Sequence, residues 1–287
     1  MKGSSAPSLF IVGWGRLGSA IGLSARDAGW RLSGAWNRST TAAGRARRAG
    51  VAASRGDLPP LAVDLALLAV PDAAIAAVAG RVAGLPRREL PRVAAHLSGS
   101  LDLAPLAPLA EAGVAIGSLH PFCSVAGPRT ILSGASCAID GDPSARRLLR
   151  ALARDLRLVP LRRPPRDRPR YHLAASSLAS FTGALANRSE ALLEASGVPP
   201  REARRALAAL LRSVAANIEG AGAAGALTGP FARGDPEAVR RHLALLARDP
   251  PTLTLYRTLG RFTLDLAQRS DRGDPAGREA IRRLLKG

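Results

Sequence analysis

A glycine-rich turn near the N-terminus has the spacing of a dinucleotide-binding motif. Gly13-Trp14-Gly15-Arg16-Leu17-Gly18 follows an apolar run at 9–12 and opens a stretch, 16–28, with helical periodicity. In a strand–turn–helix unit the first glycine allows the tight turn, the second lets the backbone approach a pyrophosphate, and the third allows close helix–strand packing. The N–H groups and dipole of the helix N-terminus attract the phosphates. These six residues therefore predict a bound dinucleotide.

Residues 37–39 indicate which dinucleotide. At the end of the second strand, NAD-specific sites usually place an acidic residue that bonds the ribose 2′-hydroxyl. This chain has Asn37-Arg38-Ser39 there, with no acidic residue nearby. Arg38 can pair with a 2′-phosphate and Ser39 can donate to it, whereas a carboxylate would repel it. The sequence predicts NADP, with Val70-Pro71 and Ser98-Gly99 at later strand ends completing the cofactor site.

Reduction of a C=O or C=N bond needs a proton donor near the reacting carbon. The lysine that many two-domain reductases use is not available, because Lys2 and Lys286 lie at the ends of the chain. The remaining donors are His120, at a predicted strand end, His172, Tyr171, a serine or a water molecule. We expect His120 and His172 to be the catalytic pair. His96 lies within a predicted strand and is interpreted as a packed core residue.

The helix predicted to begin at Tyr171 carries a stripe of small and polar residues. At 100° per residue this stripe holds His172, Ser176, Ser180, Gly183 and Asn187. It either faces a cleft, where Tyr171 and Ser176 would bind substrate and Ser180 would take part in catalysis, or forms a helix–helix contact.

A second polar segment lies at 227–237. Asp235 and Pro236 have the types expected of an N-cap and a first helical residue. Thr228 and Arg233 have no such explanation, and Arg233 could hold a substrate carboxylate by a two-point contact. Structural and substrate-binding roles are equally open for these two residues.

The elements around these residues predict an α/β fold. Short strands alternate with helices up to residue 161, which is typical of a doubly wound parallel (Rossmann) sheet. The Arg/Pro-rich stretch 162–169 interrupts the pattern, and the later segments read as helices. We predict a Rossmann domain at 1–163 and an all-helical domain at 164–287. The stretch 220–226 is expected to be a flexible joint.

Composition excludes several classes of protein. A hydrophobic fraction of 47% indicates a globular chain, and no apolar run approaches the length of a membrane span. The net charge is +19, but the arginines are spread in pairs without interleaved aromatics, which argues against nucleic-acid binding. Two cysteines and four scattered histidines argue against a metal site. The polar N-terminus lacks a signal core, so we expect a cytoplasmic protein.

The chain resembles bacterial Rossmann-like proteins that carry domain of unknown function 2520. They belong to the broad group of 6-phosphogluconate dehydrogenase, pyrroline-5-carboxylate reductase and ketopantoate reductase. The resemblance spans nearly the whole chain and rests on the glycine turn and four further motifs. These are His96-Leu97-Ser98-Gly99, Gly117-Ser118-Leu119-His120-Pro121, Tyr171-His172-x-Ala174-Ala175 and Leu227-Thr228-Gly229-Pro230-x-x-Arg233-Gly234-Asp235.

The resemblance implies an NADP-type cofactor, a helical domain that often dimerises, and oxidoreductase activity on a small carbonyl or imine. It favours a 2-oxo acid similar to ketopantoate, reduced at the cleft between the domains. The chain departs from the family at Ser180, where relatives usually have Asn, and this puts the substrate or the activity itself in question. The alternative is a non-catalytic, NADP-binding sensor or scaffold.

Overall fold

A twisted sheet lies at the centre of the N-terminal half of the chain. The computed structural model describes residues 6–269 and 273–286; residues 1–5, which bear on the expected absence of a signal core, lie outside it. The strands of the described residues are β1 (Ser8–Val12), β2 (Arg31–Trp36), β3 (Ala53–Ser54), β4 (Leu65–Leu68), β5 (Val93–His96), β6 (Ala115–Pro121), β7 (Ser136–Gly141) and β8 (Val159–Pro160). Their order in the sheet is β3-β2-β1-β4-β5-β6-β7-β8.

The first six strands run parallel in the order of a doubly wound, dinucleotide-binding sheet. This confirms the predicted fold class. The sheet is not parallel throughout, because β7 pairs antiparallel with β6. The segment 122–135 between them forms no helix. A parallel return needs a crossover connection, usually helical, so the chain turns back and pairs in the opposite direction.

Helices cover both faces of the sheet. In this half they are α1 (Arg16–Asp27), α2 (Thr40–Arg48), α3 (Asp72–Ala83), α4 (Ala107–Glu111) and α5 (Pro143–Asp155). Successive residues of β1 pack into different cores: Leu9 and Ile11 join one cluster, while Phe10 and Val12 join the other. Because side chains alternate across a strand, a central strand that is buried on both faces is apolar wherever its side chains enter either core.

The C-terminal half of the described chain is helical, as predicted. Its helices are α6 (Arg168–Ala195), α7 (Pro200–Gly225), α8 (Pro230–Arg233), α9 (Pro236–Leu246), α10 (Pro250–Ala267) and α11 (Pro275–Leu284). The chain divides into two compact units, Met1–Phe181 and Thr182–Gly287, and this division falls within α6. None of the helices in the described residues has the length and apolar character that crossing a membrane requires.

Several short elements differ from the sequence prediction. The strand β3 and the helices α4 and α8 were not predicted, because each is only two to five residues long. The ten-residue helix α11 was missed as well, although its apolar residues follow a helical period. The stretch 220–226, predicted as a flexible joint, does contain a break: the backbone at Gly222 leaves helical geometry (φ 68°, ψ 171°), so two helical segments of α7 meet there. Glycine adopts this positive φ without steric cost. The flexibility of the joint stays a prediction.

Candidate cofactor and active site

The glycine turn after β1 has the steric form that close backbone packing requires. A Cβ at Gly13, where φ is 108°, would lie 2.4 Å from the carbonyl oxygen of Ala69, and one at Gly18 would lie 2.1 Å from that of Gly13. Gly15 differs, because a Cβ there would meet no atom within 4 Å. The space in front of Gly15 is therefore open, and α1 begins there without a side-chain cap. Its first N–H groups are available to an anion.

Asn37 links this turn to the end of β2. Its side-chain Oδ1 accepts a hydrogen bond of 2.5 Å from the backbone N–H of Trp14. The backbone N–H of Asn37 donates to the carbonyl of Ser54. The residue is only 3% exposed, and its Nδ2 group has no partner in the described residues. A buried amide donor without a partner costs free energy that a ligand acceptor would recover. Asn37 fits a role at the edge of a ligand site.

A cavity of about 600 Å³ lies at the carboxyl ends of β1, β2 and β4. Of the thirteen residues predicted for the cofactor, eight line it: Gly13, Trp14, Gly15, Asn37, Arg38, Ser39, Val70 and Pro71. In open α/β sheets ligands bind at this edge, at the point where strand order reverses. The side chain of Ser39 also caps α2 by accepting from the N–H of Ala42.

The remaining predicted cofactor residues lie outside the lining of the cavity. Arg16 is exposed, Leu17 packs against the core, and Gly18 is buried at the helix–strand contact. Ser98 and Gly99 belong to the neighbouring polar cluster described below. Sequence reasoning missed two lining arginines, Arg45 in α2 and Arg81 in α3, because nothing in their local sequence separates them from the many other arginines.

A serine–aspartate cluster extends from the cavity toward β5. Asp72, which follows the cavity residue Pro71, accepts hydrogen bonds from the hydroxyls of Ser98 at 2.8 Å and Ser100 at 2.5 Å. These bonds join the start of α3 to the loop after β5. The cluster places Gly99 next to the end of β6.

His120 lies against Gly99 and faces the first turn of α6. A Cβ at Gly99 would be 2.7 Å from Cε1 and Nε2 of the imidazole, so residue 99 must lack a side chain for the ring to lie there. His120 Nδ1 is 3.1 Å from the hydroxyl of Tyr171, and the two rings meet edge to face. The ring centroid of His172 is 6.2 Å away. All four residues belong to the first compact unit.

Burial sets the protonation of this pair. Desolvation, with smaller contributions from His172 and Arg168, lowers the pKa of His120 from 6.5 to about 4. Burial raises the pKa of the Tyr171 phenol to about 12. At neutral pH the imidazole is uncharged and the phenol keeps its proton. The bond between them therefore joins two neutral groups, and either can be the donor.

A buried arginine anchors the start of α6. Arg168 is 5% exposed, and its Nη2 donates to the hydroxyl of Ser118 at 3.0 Å and to the carboxylate of Asp140 at 3.1 Å. These contacts tie α6 to the antiparallel pair β6–β7. Tyr171 lies three residues later, almost one helical turn along. The sequence marks 162–169 only as an interruption between the two domains, and it does not reveal the anchor, since a buried arginine is rare.

The other predicted catalytic and substrate residues have exposed side chains. Ser176 and Ser180 are exposed on α6, and Ser180 lies eight residues beyond His172, about 12 Å along the helix axis. Thr228 and Arg233 are exposed in the second compact unit, where Arg233 lies 3.8 Å from the carboxylate of Asp235. Asp235 caps α9 as predicted, accepting from the N–H of Ala238.

Two sequence interpretations concern histidines and metals. His96 is fully buried; its Nδ1 accepts from the N–H of Ser98, and its Nε2 lies 2.8 Å from the carbonyl of Asp102. Because Nδ1 is an acceptor, Nε2 carries the proton, and the interpretation of His96 as a core residue is confirmed. Within residues 6–269 and 273–286, no three histidine, cysteine or acidic side chains group together as metal ligands would.

Comparison with known families agrees with this architecture. Residues 4–121 match the model of a Rossmann-like domain, and residues 135–263 match a domain of unknown function, DUF2520. The chain joins a Rossmann-like domain to DUF2520. The DUF2520 match begins at the start of β7, so the antiparallel end of the sheet belongs to it. None of the curated proteins matches the chain significantly in sequence.

Solved structures share the fold over most of their length. A "putative NADP oxidoreductase" from Bacteroides fragilis is 21% identical, with 91% of this chain and 99% of that one covered and a TM-score of 0.73. A 1-pyrroline-5-carboxylate reductase from Streptococcus pyogenes is 16% identical, with 93% and 100% covered and a TM-score of 0.61. The pyrroline carboxylate reductase of Plasmodium falciparum, solved with NADP bound, is 10% identical, with 97% and 100% covered and a TM-score of 0.62.

Proposed function

We propose that the protein is an NADP-dependent oxidoreductase that acts on a small carbonyl or imine compound. The observation that carries this proposal is an unbroken path of contacts from the cavity to the histidine–tyrosine pair. Pro71 lines the cavity, Asp72 binds Ser98 and Ser100, and Gly99 between these serines lies against His120. A dinucleotide site and a neutral proton-holding pair therefore adjoin at one edge of the sheet.

The cavity residues suit NADP. The open space at Gly15 and the uncapped start of α1 would accept the pyrophosphate. The cavity is lined by Arg38, Arg45 and Arg81, and no carboxylate is among its lining residues, which favours a 2′-phosphate over a free 2′-hydroxyl. When bound, such a cofactor supplies or accepts a hydride. The names of the B. fragilis and P. falciparum proteins support the same choice.

Tyr171 and His120 would handle the proton. The phenol holds a proton throughout the neutral range, and Nδ1 of His120 is placed to accept it or return one. His120 was predicted as a proton donor, and as an imidazolium it would be scarce at neutral pH, because its pKa is about 4. We therefore assign the donor role to the Tyr171 hydroxyl, with neutral His120 orienting it and relaying the proton. His172, exposed on the same turn, would contact the substrate.

The substrate class follows from this chemistry. A proton donor of high pKa suits a substrate that becomes strongly basic on reduction, such as an alkoxide or an amine. We propose a small 2-oxo acid or a cyclic imine, the latter supported by the likeness to two pyrroline carboxylate reductases.

The test is NADPH oxidation at 340 nm against a panel of 2-oxo acids and cyclic imines. Tyr171→Phe should lower turnover by roughly 10²-fold or more, the usual contribution of a positioned acid, with little change in NADPH affinity. A matched control exists in the second unit, where the Tyr256 hydroxyl lies 2.8 Å from Nδ1 of His242. Tyr256→Phe should keep full turnover. Equal activity in both variants would refute the assignment.

The same panel separates the enzyme from a sensor. NADPH binding without turnover of any compound would instead indicate a non-catalytic, NADP-binding protein. No binding of NADPH at all would refute both functions.

We also propose that the protein is a homodimer through its second unit. Apolar side chains are exposed along two long helices there: Leu185 and Leu192 on α6, and Leu210, Val214 and Ile218 on α7. Their spacings of seven and four residues place each set on one helix face. Such rows of exposed apolar side chains favour an association site. Light scattering should give twice the mass of 29.7 kDa, and Val214→Asp should lower it; a monomeric wild type would refute the proposal.

A further inference from the structure

One of the three cavity arginines is held in place by the protein itself. Arg81 Cζ lies 4.9 Å from the centre of the Trp36 ring, a cation–π distance. Its Nη2 donates to the carbonyl of Gly56 at 2.9 Å, and the indole N–H of Trp36 donates to the same carbonyl at 3.1 Å. One oxygen thus fixes both the ring and the guanidinium that covers it.

The other two arginines are not fixed in this way. Arg38 and Arg45 make no hydrogen bond within the described part of the chain, although both line the cavity. Their guanidinium groups are therefore available for an anion. Arg81 has already committed one N–H group to Gly56 and one face to Trp36, which is 4% exposed. Arg81 still offers the other face of its guanidinium and its remaining N–H groups, in a plane that Trp36 and Gly56 fix.

The cavity wall beside Arg81 is apolar. Ala73, Ala74, Ala77 and Val78 of the same helix, α3, line it. Small apolar side chains accommodate the edge and face of a heteroaromatic ring, while a guanidinium plane stacks on its π-system. A phosphate would find no donor on this wall other than Arg81. The chemistry here suits a base.

We propose that the guanidinium of Arg81, backed by Trp36 and tethered to Gly56, is the platform on which the adenine ring of the cofactor stacks. Arg38 and Arg45 then take the 2′-phosphate. This inference rests on the proposed NADP-binding function and adds a residue that determines specificity for the adenosine half. Stacking on an arginine depends on its plane as well as its charge, so lysine cannot replace it.

The test measures, by isothermal titration calorimetry, how tightly each half of the cofactor binds to wild type and to the Arg81 variants. Adenosine 2′,5′-bisphosphate should bind Arg81→Ala roughly tenfold more weakly than wild type, the scale of one stacking contact. Reduced nicotinamide mononucleotide should bind both proteins equally. Arg81→Lys should lose nearly as much affinity for the bisphosphate as Arg81→Ala.

Arg26 provides the matched control. It lies in the last turn of α1 and donates to the backbone carbonyl of Ala49 at 2.9 Å. Arg81 likewise lies in the last turn of its helix, α3, and donates to a backbone carbonyl, that of Gly56. Unlike Arg81, Arg26 does not line the cavity. Arg26→Ala should bind the bisphosphate as wild type does. Equal losses in Arg26→Ala and Arg81→Ala, or equal losses of both cofactor halves, would overturn the inference.

Two further results are decisive. Full affinity in Arg81→Lys would show that charge alone acts, and would refute stacking. If wild type binds and oxidises NADPH but Arg81→Ala binds the bisphosphate unchanged, the inference fails while the proposed function stands. If wild type does not bind NADPH, the proposed function itself fails.

Discussion

Replacement of His120 by asparagine should remove a specific acid sensitivity from the fold. The pKa of His120 is lowered to about 4, chiefly by burial, from an ordinary 6.5. The unfolded chain therefore binds a proton at this residue below about pH 6.5, while the folded chain does so only near pH 4. Because the unfolded state binds more protons in this window, stability falls as the pH drops from 6.5 to 4.

The size of the effect follows from the two pKa values. At about 1.4 kcal/mol per unit of pKa difference, the free energy of unfolding is lowered by an amount on the order of 3 kcal/mol below pH 4. By the same linkage relation it is about 2 kcal/mol at pH 5 and close to zero at pH 7.5. Asparagine does not titrate and keeps a polar atom near Nδ1, facing Tyr171. The free energy of unfolding of wild type, relative to His120→Asn, should thus fall by about 2 kcal/mol between pH 7.5 and pH 5.

Urea unfolding at several pH values, followed by tryptophan fluorescence, measures this difference. The three tryptophans, Trp14, Trp30 and Trp36, are buried in the first unit, so their signal reports its unfolding. Comparison with the variant cancels other titrating groups, including His96, whose pKa burial also lowers. If the two stability curves run parallel from pH 7.5 to pH 5, His120 titrates normally and the argument for a neutral imidazole is refuted.

Two further predictions concern arginines. Arg38→Ala should weaken NADPH binding by tenfold or more, since a charge-assisted hydrogen bond to phosphate contributes roughly 1.5–3 kcal/mol. The affinity for NADH should stay nearly unchanged. Equal losses of NADPH and NADH affinity, measured by fluorescence titration, would contradict the NADP assignment. Arg168→Met should lower the free energy of unfolding by about 1.5–3 kcal/mol, because it removes a charge-assisted hydrogen bond to Asp140, whose side chain is 32% exposed, whereas Arg168→Lys should lose less. A melting temperature unchanged in Arg168→Met would show that the anchor contributes nothing.

Local steric constraints made the cofactor turn predictable from sequence. A Cβ at Gly13 or Gly18 would collide with backbone atoms, whereas Gly15 leaves open space in front of the helix, and a fixed spacing of glycines in sequence signals all three features. The alternation of strands and helices likewise depends on short-range apolar periods. The antiparallel β7 had a visible signal too, since residues 122–135 contain no helix that could carry the chain back for a parallel pairing.

Long-range contacts made the rest of the site unpredictable. Arg81 reaches Gly56 across 25 residues, and Arg168 reaches Ser118 across 50. In a chain with 41 basic residues, no local pattern marks these two arginines as different from surface ones. The polar stripe on α6 contributes only its first turn to the contacts with His120. Its first turn faces His120, but Ser176 and Ser180 continue along an exposed side of the helix.

Arg168 shows why geometry and protonation in this site are coupled. Its hydrogen bonds to Ser118 and Asp140 set where α6 begins, and hence where the Tyr171 hydroxyl meets His120. Its positive charge also lowers the pKa of His120, adding to the effect of burial. Loss of the anchor would both move the phenol and remove one of the charges that lower the pKa of His120, although burial is the larger cause of that low pKa. Arg168 therefore supports the neutral donor pair both by its position and by its charge.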